Sequence, residues 1–156
     1  MRVKLIVVGK TAFQYLKEGE DIYEKRLQHY CNYERIDIPD LKNLKNYSKE
    51  EIKRKESEII LSKLSNNDFV VLLDENGNQS TSLEFASWIE KRMFQPQTIV
   101  FIIGGAFGFD KNLYERMNYK ISLSKMTFSH QMVRMIFLEQ LYRGFSILKG
   151  EPYHHP

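Results

Sequence analysis

The 156-residue chain has one cysteine, Cys31, so it can form no internal disulfide and no multi-cysteine metal site, which fits a reducing compartment. Its four histidines are His29, His130 and the adjacent pair His154 and His155. Neighbouring histidines do not readily share one metal, and no acidic cluster completes a ligand set, so no metal is expected. No apolar run approaches the ~20 residues a membrane-spanning helix needs. The opening "MRVKLIVVGK" is apolar only briefly and no small-residue cleavage pattern follows it, so it reads as a first strand, not a signal peptide. Charge of one sign is also scarce. The net charge is +3, and the bases alternate with acids in stretches such as "KEEIKRKESE", so charge alone does not argue for a nucleic-acid partner. Repeats and low-complexity tracts are absent. What remains is one soluble, cytoplasmic domain spanning residues 1–156.

Strand-like and helix-like segments alternate along the whole chain, the pattern of an α/β fold with a mainly parallel sheet flanked by helices. "VKLIVVG" reads as a strand, and Thr11 to Tyr30 as a helix carrying Phe13, Leu16, Ile22, Tyr23, Leu27 and Tyr30. "YERIDIP" alternates as a strand should. The polar "DLKNLKNY" reads as a loop leading to Ser48 and Glu51, a capping-box pair that opens a second helix. "DFVVLLD" reads as a buried strand, "ENGN" as a turn because Asn-Gly tolerates positive φ, and Thr81 with Glu84 as a second capping box. "TIVFII" leads into three glycines, Gly104, Gly105 and Gly108. Asp110 can cap a short helix, "YKISLS" reads as a last strand, and a long helix starts near Ser129 and ends at Leu148.

In a parallel α/β sheet, ligands bind where strands end, which selects the turns after Leu73, Ile103 and Leu123. "IIGGAFG" is not a dinucleotide fingerprint, because its glycines are spaced G-G-x-x-G and come late in the chain. It is not a P-loop either, since no Gly-Lys-Ser or Gly-Lys-Thr follows. The glycines either admit a ligand or merely permit a sharp turn.

On a wheel of about 100° per residue, Met132, Val133, Met135, Ile136, Phe137, Leu138, Leu141, Tyr142, Phe145 and Leu148 cover nearly the whole last helix. Such a helix is buried on both sides, one against the sheet and the other most economically against a second copy of the chain, so a homodimer through this helix is expected; the alternative is cover by the protein's own first helices. Arg134 falls among these apolar positions, a costly place for a charge unless an anion or carboxylate meets it. Arg143 follows Glu139 by one turn and can form a simple surface pair. The closing "GEPYHHP" is either a disordered tail or a segment folded over an active site, its own or a partner's, where a histidine could accept a proton.

Taken in order, Leu73 with "DENG", "IIGGAFGF", "SLSKMTFSHQMVR", "EQLYR" and "EPYHH" give the sequence its likeness to one family. The chain resembles, nearly end to end, the ribosomal large-subunit RNA methyltransferase H family, small SPOUT enzymes with a trefoil-knotted C-terminal half. The resemblance implies a homodimer that transfers a methyl group from S-adenosylmethionine to N3 of a pseudouridine in 23S rRNA of assembled ribosomes. Carried over by position, it places cofactor contacts at Leu73, Gly104, Gly105, Leu123, Ser124, Lys125, Met126, Thr127 and Phe128, within the three turns already selected.

A sulfonium methyl is already activated, so such an enzyme needs alignment more than a metal, and alignment can supply an effective molarity of about 10⁵ M or more. The acceptor nitrogen must lose a proton. His154 or Tyr153 is the candidate acceptor of that proton, and Arg143 or Arg134 the group that holds the base's carbonyl or a phosphate. With few phosphate contacts on offer, specificity is expected from the dimer surface and the ribosomal context, and activity on free RNA is expected to be poor. The rival readings are a non-catalytic α/β dimer that binds adenine nucleotides and a purely structural dimer.

Overall fold

The computed structural model describes residues 1–156. Five strands, β1 (Arg2–Val8), β2 (Asn32–Ile38), β3 (Phe69–Asn78), β4 (Ile99–Ile103) and β5 (Tyr119–Ile121), form one wholly parallel sheet in the order β2-β1-β4-β3-β5. The helices are α1 (Gln14–Leu27), α2 (Lys49–Ser62), α3 (Ser82–Met93), α4 (Lys111–Arg116) and α5 (Met132–Leu148). Strand residues alternate between two cores. Val3, Leu5, Val7, Ile99, Phe101 and Ile103 point to the face that packs Leu27 of α1, Phe85 and Ile89 of α3, and Phe137, Leu138, Leu141 and Phe145 of α5. Ile6, Val8, Val100 and Ile102 point to the opposite face, against Ile60 of α2 and Leu113 of α4. Two covered faces explain why β4 reads as an unbroken apolar run.

Local signals set most boundaries. Ser48 Oγ accepts from Glu51 N, and Thr81 with Glu84 makes the reciprocal capping box. Asp110 accepts from the amides of Asn112 and Leu113 to start α4. The polar stretch holds a short 3-10 turn at Leu44–Asn46.

Two expectations are corrected. "ENGN" is not a turn between elements: β3 runs through it to Asn78, with a bulge between Leu73 and Asn78 where Asp74 Oδ1 accepts from Asn76 N. Gly77 has no positive φ; it is required because a Cβ there would lie 2.6 Å from the Ile121 carbonyl carbon of β5. "YKISLS" is strand only through Ile121, after which Ser122 Oγ donates to Ser124 O and the chain turns into the next loop.

The sheet face covered by α5 is shared with α1 and α3, both of which pack against that helix. The protein's own helices therefore cover much of α5's apolar circumference. Met132, Ile136, Gln140, Arg143 and Ile147 remain half-buried along its outer side. No helix is long and apolar enough to cross a membrane.

Candidate functional site

Parallel pairing brings the C-terminal ends of β3, β4 and β5 to one edge, and the three turns leaving them enclose a cleft of about 660 Å³. Leu73, Gly104, Gly105, Leu123, Ser124, Met126, Thr127 and Phe128 line it, as read from the sequence. Lys125 does not; it is exposed beside the mouth. Gly108, at φ +80°, closes the glycine loop by donating its amide to Gly105 O at 3.2 Å. The glycines also form a cradle that side chains would fill. A Cβ at Gly104 would meet the Phe109 ring at 3.0 Å, and one at Gly105 would meet Glu56 Oε2 at 2.9 Å.

Sequence reasoning missed several walls of this cleft. Asp74 and Glu75 follow Leu73 into it, and Tyr114 reaches it from α4 to donate to Asp74 Oδ2. Burial and that hydrogen bond raise the Tyr114 pKa, so the phenol stays protonated. Thr127 Oγ1 donates to Glu75 Oε2 at 3.0 Å, joining the turn after β5 to the end of β3. The signal for Asp74 and Glu75 was their place directly after a strand end; for Tyr114 it was one helical turn beyond the Asp110 cap.

The start of α5 is fastened to the end of β1. Arg134 has no exposed surface, and donates through Nη2 to Val8 O at 2.5 Å, through Nη1 to Gly9 O at 2.9 Å and through Nε to His130 O at 3.1 Å. The anion or carboxylate expected at Arg134 is thus replaced by backbone carbonyls, and the guanidinium does not reach the cleft. Burial, with Arg35 nearby, pushes its pKa down. Gln131 adds a second tie, accepting from Ala12 N at 2.8 Å and donating to Lys10 O at 3.2 Å. His130 and Val133, from the same segment, line the cleft.

A profile of the SPOUT methyltransferases, described as a predicted SPOUT methyltransferase, matches residues 1–154. The chain belongs to the SPOUT methyltransferase family. A protein of Christiangramia forsetii named ribosomal RNA large subunit methyltransferase H is 54% identical over 156 residues, covering 99% of both chains. One of the same name from Parabacteroides distasonis is 50% identical at the same coverage. A solved probable methylase family protein from Haemophilus influenzae superposes with a TM-score of 0.51 over 99% of this chain and 70% of that one; at 9% identity it bears on the fold alone.

Family membership implies use of S-adenosylmethionine, and the cleft of this SPOUT methyltransferase fits that molecule. Its volume lies within the range of about 300–1,000 Å³ usual for small-ligand sites. Its glycine turn leaves room for a ligand close to the backbone, and Asp74 and Glu75 bring carboxylates to the cleft wall, which suits a cationic ligand.

The tail of this SPOUT methyltransferase is folded, not loose, and forms a second cluster. Tyr153 OH donates to Glu139 Oε1 at 2.9 Å, and its ring meets Tyr142 edge-on at 4.7 Å. The Arg143 guanidinium pairs with Glu139, lies 4.8 Å over the Tyr153 ring, and brings Nη1 to 3.2 Å from His154 Nδ1. Arg143 is therefore more than half of a surface pair. The Glu139 hydrogen bond raises the Arg143 pKa and keeps it charged. Burial, with hydrogen bonds to Tyr23 and Glu139, raises the Tyr153 pKa and makes that phenol a donor. Within one chain this cluster is remote from the cleft: Val133 and Arg143 are ten positions apart on α5, about 15 Å along the axis.

Proposed function

We propose that this protein transfers a methyl group from S-adenosylmethionine to N3 of a pseudouridine in 23S rRNA, acting on assembled ribosomes in the cytoplasm. The observation that carries the reading is the convergence of the three strand-end turns on one cleft, lined by every expected cofactor residue except Lys125. Near full-length identity to proteins named ribosomal RNA large subunit methyltransferase H supports the substrate. The C-terminal half, which supplies two of the three turns, is the part the family reading assigns to a trefoil knot.

When bound, the cofactor supplies a methyl carbon activated by its sulfonium. Leu73, Gly104, Gly105, Leu123, Ser124, Met126, Thr127 and Phe128 would hold it, and the apolar walls would keep water from the methyl group. The Asp74 and Glu75 carboxylates favour the cationic ligand over its neutral product.

The acceptor nitrogen carries an imide proton, so charge develops on the uracil carbonyls as that proton leaves. Arg143 is the group that stabilises this charge, replacing Arg134, whose nitrogens are occupied in the core. In the folded tail Arg143 donates to Nδ1 of His154, which places the hydrogen of the neutral ring on Nε2. When Arg143 turns to the substrate carbonyl, the Nδ1 lone pair is freed to take the imide proton. Tyr153 serves as the support that orients both.

The 15 Å separation of tail and cleft supports a homodimer in which each tail completes the partner's cleft. The half-buried stripe of Met132, Ile136, Gln140 and Ile147 is the surface offered for that contact. A non-catalytic dimer that binds adenine nucleotides is separated by experiment: mass spectrometry of rRNA from a deletion strain, with purified protein and S-adenosylmethionine added to its ribosomes. The modification should be missing from the strain and restored by the protein; absence of restoration defeats the enzyme reading.

A further inference from the structure

One face of α2 forms a lip of the cleft. Lys49, Lys53 and Glu56 recur at helical spacing on that face, and each meets the glycine loop or the cleft: Lys49 Nζ lies 5.5 Å from the Phe107 ring centroid, Lys53 lines the cleft, and Glu56 abuts Gly105. Phe107, at the tip of the loop, is 41% exposed, an aromatic ring left in water at the mouth of the site. Lys49 is exposed, and Lys53, its side chain 22% exposed, pairs at 3.1 Å with Glu50, itself 81% exposed, a partner that an incoming anion can displace. The opposite lip carries Met126, 77% exposed, directly after the exposed Lys125.

An exposed aromatic flanked by lysines is the chemistry that holds unpaired nucleic acid: the ring stacks on a base, whichever base it is, and the cations take the phosphates. None of this is explained by the fold. Lys49 lies outside the cleft lining, so it is not placed to serve the cofactor, and removing an exposed contact between it and Phe107 leaves both cores untouched.

We infer that Lys49, Lys53 and Phe107 form a docking lip for the single-stranded RNA that presents the acceptor nucleotide, with Phe107 stacking on a neighbouring base and the two lysines contacting its phosphates. This rests on the rRNA methyltransferase reading above. The lip supplies two phosphate contacts that the net charge of +3 does not advertise, on the side of the entrance away from the Asp74 and Glu75 carboxylates of the β3 turn.

The test measures binding of the wild type, Lys49→Gln/Lys53→Gln and Phe107→Ala to large ribosomal subunits across a salt series, with S-adenosylmethionine affinity and thermal stability measured in parallel. Loss of two phosphate contacts should make the plot of log K against log salt shallower by about 1.4, at roughly 0.7 per single-strand contact. Phe107→Ala should weaken binding roughly fivefold to a hundredfold, the range for one stacked base, with its salt slope kept. Lys49→Gln alone, at a residue outside the cleft lining, should make the slope shallower by about 0.7 while cofactor affinity stays within about twofold. Unchanged ribosome binding overturns the lip. A drop in cofactor affinity with the salt slope intact also overturns it, assigning Lys53 or Phe107 to the cofactor. A wild type that binds no ribosomal subunit defeats the underlying functional reading instead.

Discussion

Arg143 stands between an acid and a base of the same chain, pairing with Glu139 through Nη2 and facing His154 Nδ1 at 3.2 Å through Nη1. The contact with Glu139 fixes its charge, and the contact with His154 occupies the one lone pair that could accept a proton. Arg143→Ala should therefore lower single-turnover methylation roughly 10²- to 10³-fold with cofactor affinity unchanged, the loss typical of one donor to a developing anion. His154→Ala should lower it by about 10² or more. Wild-type turnover by His154→Ala at saturating cofactor would remove the base from the mechanism.

Mixed dimers test the shared site. A cleft-blocked protomer, Gly104→Val, and a tail-truncated protomer ending at Gly150 should each be inactive alone and regain activity when combined, because one hybrid site then has an intact cleft and an intact tail. Activity that stays absent in a verified heterodimer would mean that each chain completes its own site.

Arg134→Met should destabilise the fold by about 3 kcal/mol or more, since carbonyls of Val8, Gly9 and His130 lose a charged donor in a buried place. For a chain of this size that is a fall in Tm of roughly 6–12 °C. Cofactor affinity should fall as well, because His130 and Val133 border the cleft. Calorimetry with and without cofactor reads both, and a variant as stable as the wild type would contradict the buried geometry.

Gly77→Ala should cost about 1–3 kcal/mol through the overlap of its Cβ with the β5 backbone. Gly105→Ala should be milder for stability, because the atom in its way is the far end of the Glu56 side chain, which can turn aside. Urea unfolding of the pair decides it; equal losses would show that the space at Gly77 is not the constraint.

Glu56 gives stability a pH dependence. Burial first, and Asp40 second, push its carboxyl up from an ordinary 4.5 to about 7, and Oε1 is buried without a partner. The folded chain thus holds this proton more tightly than the unfolded one. Its stabilising share is complete below about pH 4.5 and is lost as pH rises to about 7. Glu56→Gln should flatten the fall across that window in denaturant midpoints taken at steps of pH, and an equally steep fall would place the titration elsewhere.

The parallel α/β architecture and the three turns that meet at the cleft were legible because alternation, capping pairs and strand ends are local signals. "ENGN" misled because Asn-Gly advertises positive φ, whereas Gly77 is needed for a neighbour, β5, that lies more than 40 residues away in sequence. Arg134 was correctly marked as an unusual charge, yet a helical wheel cannot reveal that its partners are the carbonyls of Val8 and Gly9 at the other end of the chain. The order of the tail was hidden for the same reason. Tyr153 is held by Tyr142, Tyr23 and Glu139, and only folding brings these together.

The tie between Arg134 and the end of β1 also sets an order of events in time. β1 is made first, but its terminal carbonyl at Val8 and that of Gly9 just beyond it wait for a guanidinium 125 or more residues later, and its pairing with β4 waits for residue 99. At about 5–20 residues per second, the earliest strand remains incompletely bonded for several seconds of synthesis. The nascent chain therefore completes the wall of its cleft, to which His130 and Val133 contribute, only as α5 arrives, and a product cut short before that helix should recover neither S-adenosylmethionine binding nor a cooperative unfolding transition.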